Sequence, residues 1–291
     1  MKNLVFRIIL MFVVIAVLTF NTNSIAYADE TAQSDPNSNT ASESNTTDTS
    51  STDTSGDDSA NGSTSNPTDT PTNTPNIKPA FKRVDVANFE NIQQLPNYPS
   101  GCEITSAAMA LRYIGYKVSN YYLVKKFLPV SNNFYYKNGK KYGPDLNVTF
   151  AGNPSLNYYG CFAPVIVSTI NKYLVSEKAP YVAKQLGVAD IKKSIDNLYK
   201  NIDNNTPVIV WATTEMQDVE YKTSWYLPNG QRFNYPKHEH CLVLIGYDDT
   251  NVTLSDPFDK RKTVFYSRKL FEKRFSQLGS QAVIITKQLE G

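Results

Sequence analysis

The sequence predicts an α+β domain in which helices lead and a mainly antiparallel sheet follows. Between Lys78 and Gly291 the chain is dense in Tyr, Phe, Val, Ile and Leu, at a length that suits one domain. The first half of this stretch places apolar residues at helical spacing. Its last part changes to short apolar runs bounded by turn residues, the pattern of strands. Helices first and strands later are the signature of the α+β class.

Two segments precede that domain. Lys2 and Arg7, an apolar run from Ile8 to Phe20 and Ala26-Tyr27-Ala28 read as a secretory signal peptide over residues 1–28, cleaved after Ala28. The competing reading is an uncleaved anchor, but the run is short against the roughly 20 residues that a spanning helix needs. No membrane span is therefore expected after cleavage. Residues 29–77 contain no Phe, Tyr, Trp, Lys or Arg and are almost entirely Ser, Thr, Asp, Asn and Pro. Such a stretch cannot bury enough apolar surface to offset its ordering entropy, so it is expected to be a disordered linker. The chain as a whole carries +2. The leader accounts for two positive charges and the linker for nine negative ones, which leaves +9 on residues 78–291. A basic exported domain favours anionic surfaces such as a wall polymer or acidic lipid. No basic cluster with stacking aromatics points to nucleic acid.

Along the domain, Val84 to Phe89 reads as an entering strand or arm, and Gln93 to Pro99 as extended or turned. Ser100-Gly101-Cys102-Glu103 opens a helix whose buried face is Ile104, Ala107, Ala108, Leu111 and Ile114, ended by Gly115. Further helices are expected at Asn120–Phe127, Ala163–Leu174 and Val188–Tyr199, with a long loop from Tyr135 to Asn157. Strands are expected at Pro207–Ala212, Cys241–Gly246, Val252–Ser255 and Gln281–Thr286, with a turn at Asp248–Asn251.

Cys102, Cys161 and Cys241 are the only cysteines, an odd number in an exported chain, so at least one thiol is expected to be free. Ser100 and Glu103 match a capping box, which would put Cys102 in the first helical turn, where unpaired N–H groups and the helix dipole favour a thiolate. The histidines are His238 and His240. His240 directly precedes an apolar strand and is the better-fixed base; His238 falls at the edge. If Gly246 faces Val252 across the turn, Leu242 faces Asp256, and His240 lies diagonal to that acid on one face of the sheet. A thiol at a helix start, a histidine on a strand and an acid on the next strand form a Cys–His–Asp arrangement for nucleophilic catalysis. The Cys102 N–H and the side chain of Gln94 or Gln93 are candidate oxyanion donors. His-x-His can bind metal, but no third histidine exists and Cys102 is the one evident soft partner, so neither a metal nor an organic cofactor is expected. Trp225, Tyr226 and Phe233 read equally as a cleft wall or as core.

The segment Gln94-Leu95-Pro96-Asn97-Tyr98-Pro99-Ser100-Gly101-Cys102-Glu103-Ile104-Thr105-Ser106 resembles the nucleophile region of bacterial papain-like peptidases. These are related to the double-glycine-leader peptidase domains of bacteriocin exporters. Glu239 to Asp248, followed by Ser255-Asp256-Pro257, is similar to their histidine and acid regions, and Tyr158 to Pro164 to a segment of the secreted, exporter-free branch. The resemblance covers Phe81 to Thr286. It implies a papain-like fold, a triad of Cys102, His240 and Asp256, and Gln94 as oxyanion donor. The spacing from Gln94 to Cys102 is two residues longer than the family's usual one, with Pro96 and Pro99 to take up the slack. The leading expectation is thus an extracellular cysteine peptidase acting on a peptide or protein. A cell-wall amidase or acyl transferase with the same triad, and a non-catalytic binding module on this fold, are the alternatives.

Overall fold

A computed structural model of the chain describes residues 82–83, 89–186 and 190–288. The expected leader and linker lie outside the described residues, as does most of the entering segment at 84–89. The chain divides into two units, 1–71 and 72–291, and everything described belongs to the second.

Helices supply the first half of the domain. After the short strand β1 (Lys82–Arg83), helix α1 runs from Cys102 to Tyr113 and buries Ile104, Ala107, Ala108 and Leu111 completely. The Ile104 and Leu111 side chains are each worth about 1.5–3 kcal/mol when fully withdrawn from water. Gly115, at φ +100°, takes the left-handed conformation that ends a helix without a Cβ penalty. Helix α2 (Asn120–Lys126) is capped by Ser119, whose hydroxyl accepts from the Tyr122 N–H at 3.1 Å.

The expected loop from Tyr135 to Asn157 instead contains strands. After β2 (Val130–Ser131), a hairpin is formed by β3 (Tyr135–Lys137) and β4 (Lys140–Tyr142). Asn138 and Gly139 link them with φ of 52° and 71°, as a two-residue hairpin turn with both φ positive requires. Strand β5 (Phe150–Ala151) pairs in parallel with β2.

Helix α3 (Ala163–Ser176) carries a proline in its first turn, where no N–H is needed. Strand β6 (Tyr181–Gln185) follows. Helix α4 (Ile191–Asp203) starts later than expected, because Asp190 caps it by accepting from the Lys193 N–H.

The C-terminal part then delivers β7 (Val208–Thr213), β8 (Glu220–Tyr226), β9 (Arg232–Lys237), β10 (Glu239–Tyr247), β11 (Asn251–Ser255), β12 (Thr263–Ser267), helix α5 (Arg268–Gln277) and β13 (Ala282–Lys287). The main sheet has the order β12-β11-β10-β7-β13-β6 and is antiparallel throughout; β1 pairs with the far end of β10. Every residue of β7 is buried although successive side chains point to opposite faces, so both faces of the sheet are covered. Helices α1 and α3 pack on each other and on the sheet, and α4 and α5 also pack against it. A separate four-stranded sheet, β3-β4-β8-β9, stands beside this core on the buried ring of Trp225. The α+β class with a mainly antiparallel sheet is therefore as expected.

Candidate active site

Helix α1 begins at Cys102 itself, with Gly101 as its N-cap and no side chain capping it. The expected capping box does not form. The Ser100 hydroxyl accepts instead from the Tyr158 N–H at 2.9 Å, and the Glu103 carboxylate accepts from the Cys161 N–H at 2.7 Å. Both bonds fasten the segment around Tyr158–Cys161 over the helix start. Gly101 is required by close packing: a Cβ there would sit 2.6 Å from the Cβ of Tyr98. As first residue of the helix, Cys102 presents a backbone N–H with no intrahelical acceptor.

His240 is fixed within β10, paired with Ala212 of β7 and only 4% exposed. Its Nε2 lies 2.8 Å from Oδ1 of Asp256. The expected register holds near the histidine and fails near the turn. Val243 faces Ser255, which extrapolates to Leu242 facing Asp256. A bulge between Leu244 and Gly246 then sets Gly246 against Thr253 rather than Val252. The same Asp256 oxygen accepts from the N–H groups of Phe258 at 2.8 Å and Asp259 at 3.3 Å. Burial would raise the Asp256 pKa. The hydrogen bond and charge of His240, with those two N–H groups, outweigh it and hold the carboxyl below its usual value. His238 occupies the tight link between β9 and β10 at φ +66° and does not line the cavity described next.

A narrow cavity of about 180 Å³ brings the parts together: Gln94, Cys102 and His240 line it, with Glu239, Tyr235 and Phe258. Gln94 is 2% exposed; its Nε2 donates to the Pro99 carbonyl at 2.8 Å, and its Oε1 has no partner. One of the two amide hydrogens is thereby spent on the loop between Gln94 and Cys102, and the other remains. A turn closed by the Tyr98 N–H on the Gln94 carbonyl, at 2.9 Å, absorbs the extra residues. Gln93 turns away, donating to Asn91 Oδ1 and the Asp259 carbonyl. Of the two glutamines, only Gln94 reaches the cavity.

Two acids were not foreseen as site residues. Glu103 is buried and Glu239 half-buried beside Cys102, and the Cys102 Sγ lies 3.3 Å from Glu103 Oε2. Burial is the main cause that pushes the Glu103 carboxyl up to about 7. Burial and the facing Glu103 also push Glu239 well above the usual carboxylate range. Glu239 Oε1 has no hydrogen-bond partner. The Cys102 thiol is raised as well, by burial first and then by these two carboxylates, which reverses the expectation of a depressed thiol. A clue was present in the sequence: Glu103 shares a helical face with Ala107 and Leu111, both fully buried. Atoms of Cys102, Glu103 and Glu239 lie within 4.8 Å of one another, a spacing that suits a thiophilic divalent cation. All three cysteines are unpaired, with Cys161 and Cys241 fully buried. Trp225 is core rather than cleft wall, and Tyr159 and Tyr235 pack on it at 4.8 and 6.1 Å between ring centroids.

The model of the Peptidase C39-like family matches residues 86–283. The uncharacterized protein YvpB of Bacillus subtilis (strain 168) is 33% identical over 216 residues, covering 72% of this chain and 78% of YvpB. The crystal structure of a candidate C39-like peptidase from Bacillus anthracis is 30% identical, with a TM-score of 0.61. The match covers 72% of this chain and 99% of that one. A remote likeness, at 16% identity and a TM-score of 0.40, links 69% of this chain to 99% of the peptidase domain of Streptococcus ComA, a bifunctional ABC transporter.

Proposed function

This chain belongs to the Peptidase C39-like family, and from that premise we propose that it is an exported cysteine peptidase that hydrolyses peptide bonds with Cys102 as nucleophile. The observation that carries the reading is that His240, held by a buried 2.8 Å bond to Asp256, lines the same small cavity as a thiol at the start of a helix. With Nε2 donating to the Asp256 carboxylate, the neutral ring holds its proton there, and Nδ1 is the free base.

In this mechanism the Cys102 thiol gives its proton to His240 Nδ1 as the sulfur attacks the scissile carbonyl carbon. The oxyanion is met by the Cys102 N–H and by the free amide hydrogen of Gln94. The tetrahedral intermediate collapses, the C–N bond breaks, and the imidazolium returns the proton to the leaving amine. Water, deprotonated by the same ring, then cleaves the acyl thioester and restores the thiol. A thiol that is neutral at rest fits this scheme, because the sulfur loses its proton as it attacks.

The test is cleavage of a mixed peptide library followed by mass spectrometry. Wild type should cut; Cys102→Ala and His240→Ala should not; His238→Ala should cut at close to the wild-type rate. Asp256→Asn should retain a slow residual rate, since the ring stays in place with its tautomer disturbed. Equal cutting by wild type and His240→Ala would overturn the assignment. Without any substrate, iodoacetamide labelling of Cys102 should be slowed by His240→Ala and left unchanged by His238→Ala.

A further inference from the structure

Next to the small cavity lies a larger open cleft of about 760 Å³, within the range of ligand-binding clefts. The two share Tyr158, Tyr159 and Tyr235, so a chain lying across the nucleophile continues into the larger cleft. Its walls are aromatic, with Phe134 added to those tyrosines, and it is lined by Lys141, Lys222 and Lys237. Among the described residues, no Asp or Glu lines it.

The lysines keep their charge largely available. Lys141 Nζ sits 4.9 Å from the centroid of the Phe134 ring. Among the described residues, Lys222 and Lys237 share one acid, the half-exposed Glu220, at 2.6 and 3.5 Å. One carboxylate against three ammonium groups leaves an excess of two positive charges along the cleft. Glu239 lines the neighbouring cavity and Glu103 lies against Cys102, and burial favours the neutral form of each. The lysines come from β4, β8 and β9, strands of the small sheet, so their spacing is set by paired backbone rather than by a free loop.

We propose that this cleft is a subsite for acidic side chains, and that the preferred substrates carry Asp or Glu within a few residues of the scissile bond. The aromatic walls would hold the peptide backbone, and the lysines would select carboxylates. The substrate class rests on the peptidase reading above; the binding preference does not. Charge pairs in an open cleft are individually weak, so their sum should give about a tenfold preference at low salt.

The experiment uses the full chain with Cys102→Ala and three fluorescein-labelled alanine heptapeptides, bearing three Asp, three Asn or three Lys residues. Fluorescence anisotropy should rank them Asp, Asn, Lys, with the Asp advantage shrinking toward none as salt rises from about 20 to about 500 mM. Lys141→Glu with Lys237→Glu should invert the order. Lys237→Gln, at an exposed position that should not disturb the fold, should lower the Asp preference severalfold. Equal binding of the Asp and Asn peptides, no binding of either, or indifference to both sets of lysine substitutions would overturn the subsite. Cleavage by wild type is read separately. Selective binding without any cleavage would sink the peptidase reading and leave the subsite standing, whereas equal cleavage of acidic and neutral peptides would sink the subsite alone.

Discussion

Glu103 is the residue that most changes how the site is understood. Its carboxyl is raised to about 7, from an ordinary value of 4.5, because burial outweighs its hydrogen bonds from Cys161 and its own N–H, the contact with Cys102 and the attraction of His240. The folded chain therefore holds this proton more tightly than the unfolded chain. The resulting stabilisation is complete below about 4.5 and is lost as pH rises through about 7. Its ceiling is about 3 kcal/mol. Asp256 acts in the opposite sense, since its lowered pKa stabilises above the ordinary carboxylate range and fails as pH falls. Thermal unfolding should accordingly show a melting temperature lower at pH 8 than at pH 5, by roughly 5–10 °C through Glu103. Glu103→Gln should flatten that slope. It should also speed alkylation of Cys102 at pH 8, because a negative charge opposing the thiolate is gone. Parallel melting curves for the two proteins across this range would show that Glu103 is ionised in the folded state throughout.

At the scale of elements, the most informative joint is between helix α1 and the segment Tyr158–Phe162. Gly160 permits it: a Cβ there would stand 2.2 Å from Glu103 Oε1 and 2.9 Å from Glu239 Oε2. Gly160→Ala should displace the acid pair and cost about 1–3 kcal/mol in urea denaturation, the usual range for overpacking. An unchanged midpoint would mean that the carboxylates swing aside freely. The main elements were legible because their patterns are strong. The apolar face of α1 and the runs in β7 and β10 admit one reading, and Asp256 could be matched to His240 from a turn and a period of two. Other features left weaker marks. Strand β3 is exposed at every residue and has no apolar face to betray it, although Asn138-Gly139 was a hairpin signal in plain view. Helix α5 buries Phe271 and Phe275 at a spacing of four, with only Leu270 as a further apolar residue, too narrow a stripe to stand out. The bulge in β10 changes the pairing by one residue near the turn only, which no periodicity can announce.

For the whole molecule, the decisive matter is where the folded body begins. The family match starts at residue 86 and ends at 283, and the buried core draws on residues from Tyr98 to Ile285. Nothing between residues 29 and 77 has the aromatic content to extend that core. The sequence expectation of a linker there gives a test that addresses the whole chain at once. Trypsin finds no Lys or Arg in 29–77, so a protease of broad specificity is the right probe. Brief digestion should erode the segment and stop near Lys78, because the core that starts at Tyr98 ties its backbone into the sheet and helices and is not free to enter a protease cleft. The trimmed protein should alkylate at Cys102 and cut peptides as the full chain does. It should also attract acidic peptides more strongly at low salt than the intact chain, since removal of the segment takes nine negative charges out of the net charge. A trimmed protein that melts earlier or loses peptide cleavage would show that the Ser- and Thr-rich segment is part of the working structure rather than a tether.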